Sequence, residues 1–270
     1  MYINSTSIKE LEESLCQIFE IDNDKLNNDL SNLARNSNDD DIDDKVEKYI
    51  QQNIIHKPDN VLLFHLSRRL DTAVEDYRGL SLVNLLTTKN KFSEFFENYD
   101  ITYKLENGRI EVYKRKNKIY IDEKNDANFY IMKRLGYFKN NIDFCFNGFI
   151  VNPLIGDNIY NASLSEAPEF IINISKLLNN KNILKDYQSN SKYYCYKYLI
   201  PINEIILDYK TELNNEEKII YMIKKYIMLF INYRIFNNKE KTNTEIIGSL
   251  SENEDLLSEY YIDKIIIKNK

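Results

Sequence analysis

Tryptophan is absent from this sequence, and histidine, cysteine, proline and glycine are all scarce. Each shortage excludes something. The two histidines, His56 and His65, have no well-spaced carboxylates around them and cannot form a dedicated metal cage, so no metal centre is expected. The three cysteines, Cys16, Cys145 and Cys195, are odd in number and far apart, which excludes a disulfide framework and zinc spacing. Each sits in an apolar context (LCQIF, FCFNG, YCYKY), as buried free thiols do, and a reducing compartment fits. The glycines form neither G-x-G-x-x-G nor G-x-x-x-x-G-K-[ST], which argues against a Rossmann dinucleotide site and a Walker-type phosphate loop. No G-x-S-x-G nucleophile elbow is present. The longest apolar stretch, YIMLFINYRIF, is too short and too polar to span a bilayer, and the N-terminus lacks a cationic, apolar leader layout. A cytoplasmic location and no membrane partner are expected.

Apolar residues, by contrast, are plentiful: 43% hydrophobic and 13% aromatic content is ample for a packed core. Charge is uneven. Residues 1–50 hold thirteen acids against five bases, a net −8, which leaves +2 for the rest of a chain whose total is −6. An acidic arm on a near-neutral body argues against a dedicated nucleic-acid binder, while leaving room for a local basic groove.

The hydrophobic spacing predicts helices through the first fifty residues. Ser7-x-x-Glu10 forms a capping-box pattern before Ile8, Leu11, Leu15, Ile18 and Phe19, and Leu26, Leu30 and Leu33 line a second helix. A third is expected at DKVEKYIQQNII, ended by Pro58. Between the second and third, Asn36, Asn38, Asp40 and Glu47 have roughly the rhythm of a calcium loop. Asp41, however, stands where the sharp turn needs glycine, so the run reads as a solvated helix entry. From residue 60 strands and helices mix. VLLFHL reads as a buried strand, GLSLVNLLTTKNKFSEFFENY as one or two helices, and the alternation around Asn107-Gly108 as a β-hairpin. DANFYIMKRLGYF reads as a helix ending near Gly136, IDFCFNGFIV as a strand and EAPEFIINISKLLNN as a helix with Pro168 at its first turn. A strand bent at Pro201, a long apolar helix over 216–236 and a final strand in EYYIDKIIIKNK complete the pattern. The expected fold is α+β: an acidic helical subdomain over 1–57 and, over 58–270, a main domain built on a mixed or antiparallel sheet.

Three groups of residues could carry chemistry. In the first, FHLSRR, a strand puts His65, Ser67 and Arg69 on one face and Arg68 on the other; a helical turn after Phe64 aligns His65 with Arg68 and Arg69 instead. Either delivers an imidazole and a guanidinium, which binds phosphate or carboxylate through a fixed fork. The plain structural reading is a core histidine followed by two surface arginines. In the second group, Tyr160, Ser163 and Ser165 precede a helix whose free N–H groups could hold an anion, or they simply cap it. In the third, Glu252 and Glu254 face one way if the last strand begins early; otherwise they belong to a solvated loop.

Taken together, FHLSRR, YNASLS and ENED before YYIDKIII resemble the ADP-ribosyltransferase superfamily over roughly residues 60–270. That superfamily cleaves NAD on a split α+β fold. The resemblance implies NAD as substrate, held by His65 or Arg68 with Arg69 beside them, and by Tyr160, Ser163 and Ser165. Glu254 or Glu252 would stabilise the oxocarbenium-like centre. The long helix at 216–236 separates the middle and late groups more widely than in compact members. Two functions follow. One is an NAD-consuming transferase, a toxin or defence effector acting on a protein or nucleic-acid target; the basic hairpin, with Lys104, Arg109, Lys114, Arg115, Lys116 and Lys118 among Tyr103, Tyr113 and Tyr120, could present that target. The other is a non-enzymatic intracellular interaction protein that docks a partner through its acidic arm.

Overall fold

The computed structural model describes residues 1–38, 40–123, 125–138, 144–155, 166–237 and 246–267. The fold is α+β, as the sequence predicts. Its contacts separate into two compact units. One comprises the described residues of Met1–His65, Asn147–Ile159 and Lys197–Ser249; the other those of Leu66–Phe146, Tyr160–Tyr196 and Leu250–Lys270. Strands β1 (Asn60–Leu70) and β6 (Ser191–Pro201) contribute residues to both.

In the first unit three helices come at once: α1 (Ile8–Phe19), α2 (Asn23–Arg35) and α3 (Ile42–Asn53). Ser7 starts α1 as its spacing predicts: Oγ accepts from Glu10 N at 3.2 Å and donates to the Glu10 carboxylate at 2.8 Å. The acidic stretch before α3 is a helix entry, in which Asn38 Oδ1 accepts from Asp40 N and Asp41 N. The apolar faces carrying Leu11, Leu15, Leu26, Leu30, Val46 and Ile50 are buried. Helix α1 and helix α3 pack on α9 (Asn215–Phe230), the long helix expected near the end, which Asn214 opens with a capping box. A π-helical turn, Ile231–Ile235, continues it. Short strands β5 (Asn147–Phe149), β7 (Ile206–Leu207) and β8 (Ile247–Ser249) give the order β7-β8-β5-β1-β6, with antiparallel register Phe64↔Phe149 and Gly148↔Gly248. Gly148 permits this approach, since a Cβ there would lie 2.7 Å from the Phe64 carbonyl oxygen. The helices of 1–57 therefore group with sheet residues and α9 in one unit.

The second unit holds α4 (Leu82–Thr87), α5 (Lys91–Glu97), strands β2 (Ile101–Glu106), β3 (Arg109–Lys114) and β4 (Asn117–Lys118), then α6 (Asp126–Arg134), α7 (Glu169–Leu177), α8 (Lys181–Ser189) and β9 (Tyr261–Ile266). The Asn107-Gly108 hairpin forms as expected, with φ of 52° and 78° at the two turn residues and Glu106 opposite Arg109. One face of β2–β4 is core: Ile101, Tyr103, Ile110 and Val112 pack with Phe96, Ile131, Ile171 and Tyr187. Three elements differ from expectation. Helix α8 arises where no helix is expected; Asn180 caps it and it buries only Ile183 and Tyr187. Among the described residues of IDFCFNGFIV, the expected strand covers Asn147–Phe149 alone. The last strand does not begin early, because residues 251–254 form a turn, closed by Glu254 N on the Ser251 carbonyl at 3.2 Å, in which Asn253 has φ of 64°.

Candidate functional site

Strand β1 runs unbroken to Leu70, so the helical alternative after Phe64 does not occur, and alternation places Arg68 opposite His65 and Arg69. His65, in the first unit, meets the Asn147 carbonyl oxygen through Nδ1 at 2.7 Å. A carbonyl only accepts, so Nδ1 carries the proton.

In the second unit Arg68 clamps the end of α8. Its Nε donates to Ser191 Oγ at 2.8 Å and its Nη2 to the carbonyl oxygens of Gln188 and Ser191 at 3.0 and 3.1 Å. Ser191 Oγ donates in turn to the Tyr187 carbonyl at 2.5 Å, and Tyr187 Oη donates to the Arg68 carbonyl at 2.6 Å. A cation placed on the last carbonyls of a helix is favoured by the helix dipole and satisfies orphan acceptors. Arg69 lies 4.1 Å over the Tyr196 ring and donates to the carbonyls of Asp76 and Arg78, shaping the loop that follows β1. Beside that loop Tyr77 stacks on Tyr261 at 4.1 Å, and Lys264 pairs with Glu75 at 2.9 Å.

The late acids do not present a paired face: Glu252 and Glu254 are both exposed in the turn. The carboxylate that turns inward is Asp255, which accepts from Ser81 N at 2.7 Å and Asn84 Nδ2 at 2.9 Å. Leu256 bridges Gly79, bringing the late group beside the loop shaped by Arg69. Nothing local marks Asp255, because its partners lie more than 170 residues away in sequence. Tyr160, Ser163 and Ser165 lie outside the described residues.

The basic hairpin is divided along its length. Towards the Asn107-Gly108 end, Glu111 is only 1% exposed and accepts from Arg109 Nε at 2.6 Å, Lys118 Nζ at 2.9 Å and Tyr137 Oη at 2.6 Å. Burial opposes its charge, but the bonds from Tyr137, Lys118 and Arg109 outweigh that and hold the carboxyl below its ordinary pKa. Towards the other end Arg115 pairs with Asp100 at 3.2 Å, and among the described residues Lys114 and Lys116 form no ion pair. Among the described residues no group of three or more His, Cys, Asp and Glu side chains is arranged to hold a metal ion, and no helix is long and apolar enough to cross a membrane. No protein-family model matches the chain, nor does any curated protein or solved structure.

Proposed function

We propose that the protein is a non-enzymatic binding protein whose acidic helices α1–α3 dock a partner rich in positive charge. The observation that carries this reading is how the polar residues of FHLSRR are used: His65, Arg68 and Arg69 all reach main-chain carbonyls of their own unit. Guanidinium groups holding the backbone in place are scaffold, and a phosphate would have to displace those bonds at a cost. On α1–α3 the apolar faces are closed by packing, while Glu13, Asp24, Asp43 and Asp44 point to water. Such charge steers an oppositely charged partner and sets its on-rate.

The NAD-cleaving transferase reading keeps one favourable observation, the Gly79–Leu256 bridge that sets the inward carboxylate Asp255 beside the Arg69 loop. In that reaction the bond from ribose to nicotinamide breaks, nicotinamide leaves with the bonding pair, and a nucleophile on the target takes the ribose. One experiment separates the two. Purified protein is incubated with NAD and assayed for free nicotinamide, wild type beside Glu254→Gln, Glu252→Gln and Asp255→Asn. The binding reading expects no release. Release abolished by one carboxylate variant would replace it with the transferase reading and assign the residue.

A further inference from the structure

The three-stranded sheet of the second unit contains two turns of the same geometry, filled in opposite ways. Between β2 and β3 the turn is Asn107-Gly108, with φ of 52° and 78°. Between β3 and β4, where Lys114 faces Asn117 across a two-residue loop, it is Arg115-Lys116, with φ of 51° and 68°. A two-residue hairpin loop with positive φ at both positions suits Asn-Gly, because Asn tolerates the left-handed region and Gly has no Cβ to clash. Long side chains there cost backbone strain. The ion pair of Arg115 with Asp100 is exposed on both sides and returns little of it. Lys116 has no such pair among the described residues. The Arg115 N–H also donates to the Asp100 carbonyl at 2.9 Å, which offsets part of the strain at the first position. At the second, nothing comparable among the described residues accompanies Lys116, and the turn presents two adjacent exposed cations with Lys114 beside them.

An aromatic surface lies along the same segment. Tyr113 is directly opposite Lys118, and Lys104 Nζ sits 4.9 Å over the Tyr113 ring. Tyr120, just past β4, is 90% exposed, the most exposed large apolar side chain described. Water gains nothing from a bare phenol ring, and a flat partner can cover it. Of the nearby acids, Glu106 and Glu111 are engaged by Tyr113, Lys118, Arg109 and Tyr137, and Asp100 reaches the tip only through its exposed pair with Arg115.

We propose that the Lys114–Lys116 tip and Tyr120 form a binding surface for single-stranded nucleic acid. Cations that track phosphates beside an aromatic ring that accepts a base are the two components of sequence-tolerant single-strand recognition. A lipid surface would reward the cations but not a ring standing alone outside an amphipathic face. The surface is independent of the acidic helices and holds whether or not they dock a partner.

The test uses the full chain and a fluorescent single strand of roughly twenty thymidines, or the uridine equivalent, followed by anisotropy across a salt series. Three phosphate contacts would give a log–log salt slope of about −2. The decisive variant replaces Arg115-Lys116 with Asn-Gly, which relieves the strain while removing the charges. Its thermal midpoint should stay level or rise, its affinity should fall about tenfold or more, and its salt slope should flatten by about 1.4. Tyr120→Ala should weaken binding about fivefold or more without flattening the slope. No binding by wild type would overturn the proposal. So would full affinity in the Asn-Gly variant, or binding to phosphatidylserine vesicles with none to the oligonucleotides.

Discussion

Arg68 is the residue whose role changes most between chain and fold. As one of two adjacent arginines it resembles an anion holder, yet its guanidinium ties together Ser191, Gln188 and the end of α8. Arg68→Ala should destabilise the protein by about 1.5–3 kcal/mol, because charged hydrogen bonds are lost and carbonyls are left unpaired. Arg68→Lys should recover little, since a single ammonium cannot span the fork. Urea titration of the three proteins measures this. Tyr103 makes the opposite case: its hydroxyl is buried among the rings of Phe96 and Phe170 and has no hydrogen-bond partner among the described residues. Tyr103→Phe should therefore be neutral or stabilising, since no bond is lost and a desolvated hydroxyl disappears. A lowered midpoint in urea would reveal an unrecognised partner.

At the level of elements, the β2–β4 sheet is a titrating structure. Glu111 has its carboxyl depressed in the folded state relative to the unfolded chain. The unfolded state thus takes up a proton first as pH falls. The stabilisation is complete above the unfolded pKa and is lost as pH drops through the lower folded value. Glu111→Gln should lower stability near pH 7 by about 1–3 kcal/mol and flatten the acid limb of the stability profile. Denaturant midpoints at about pH 7 and about pH 3 for both proteins check the sign; a parallel loss would place the acid sensitivity elsewhere, for instance on Asp76 or Glu94, whose pKa values are also lowered.

For the whole molecule, the issue is whether the acidic helices can be detached. Their net charge suggests a separable arm over 1–57, but their buried side meets α9, whose Ile219, Met222, Ile223, Tyr226 and Phe230 are buried. Ser5 donates to the Ile150 carbonyl at 2.6 Å and accepts Asn152 N through its own carbonyl at 3.2 Å, tying the segment to the residues after β5. Glu12, itself buried, pairs with Arg234 at 3.1 Å. Removing residues 1–57 would bare the apolar stripe of α9, and the remaining chain should aggregate or bind a hydrophobic dye. Gel filtration with dye fluorescence decides this; a well-behaved truncated monomer would restore the detachable arm.

Features that depend on neighbours along the chain are legible in the residues themselves. Ser7-x-x-Glu10 specified the start of α1, Asn107-Gly108 the hairpin, Gly136 the stop after α6, and the 3.6-residue spacing the helices, because capping, turn geometry and amphipathicity act over a few residues. Elements made by distant partners left no such mark. Strands β5, β7 and β8 are two or three residues long and exist through pairing across 40 to 100 residues, and α8 has too few buried positions to show a period. The candidate site divides the same way. Residue types in FHLSRR announce what could bind an anion, but only tertiary structure decided that Arg68 meets a helix end, that Asp255 rather than Glu254 turns inward, and that Glu111 collects three donors. Those outcomes are set by burial and by pairing between groups far apart in the chain, where the cost of an unpaired charge selects the partner.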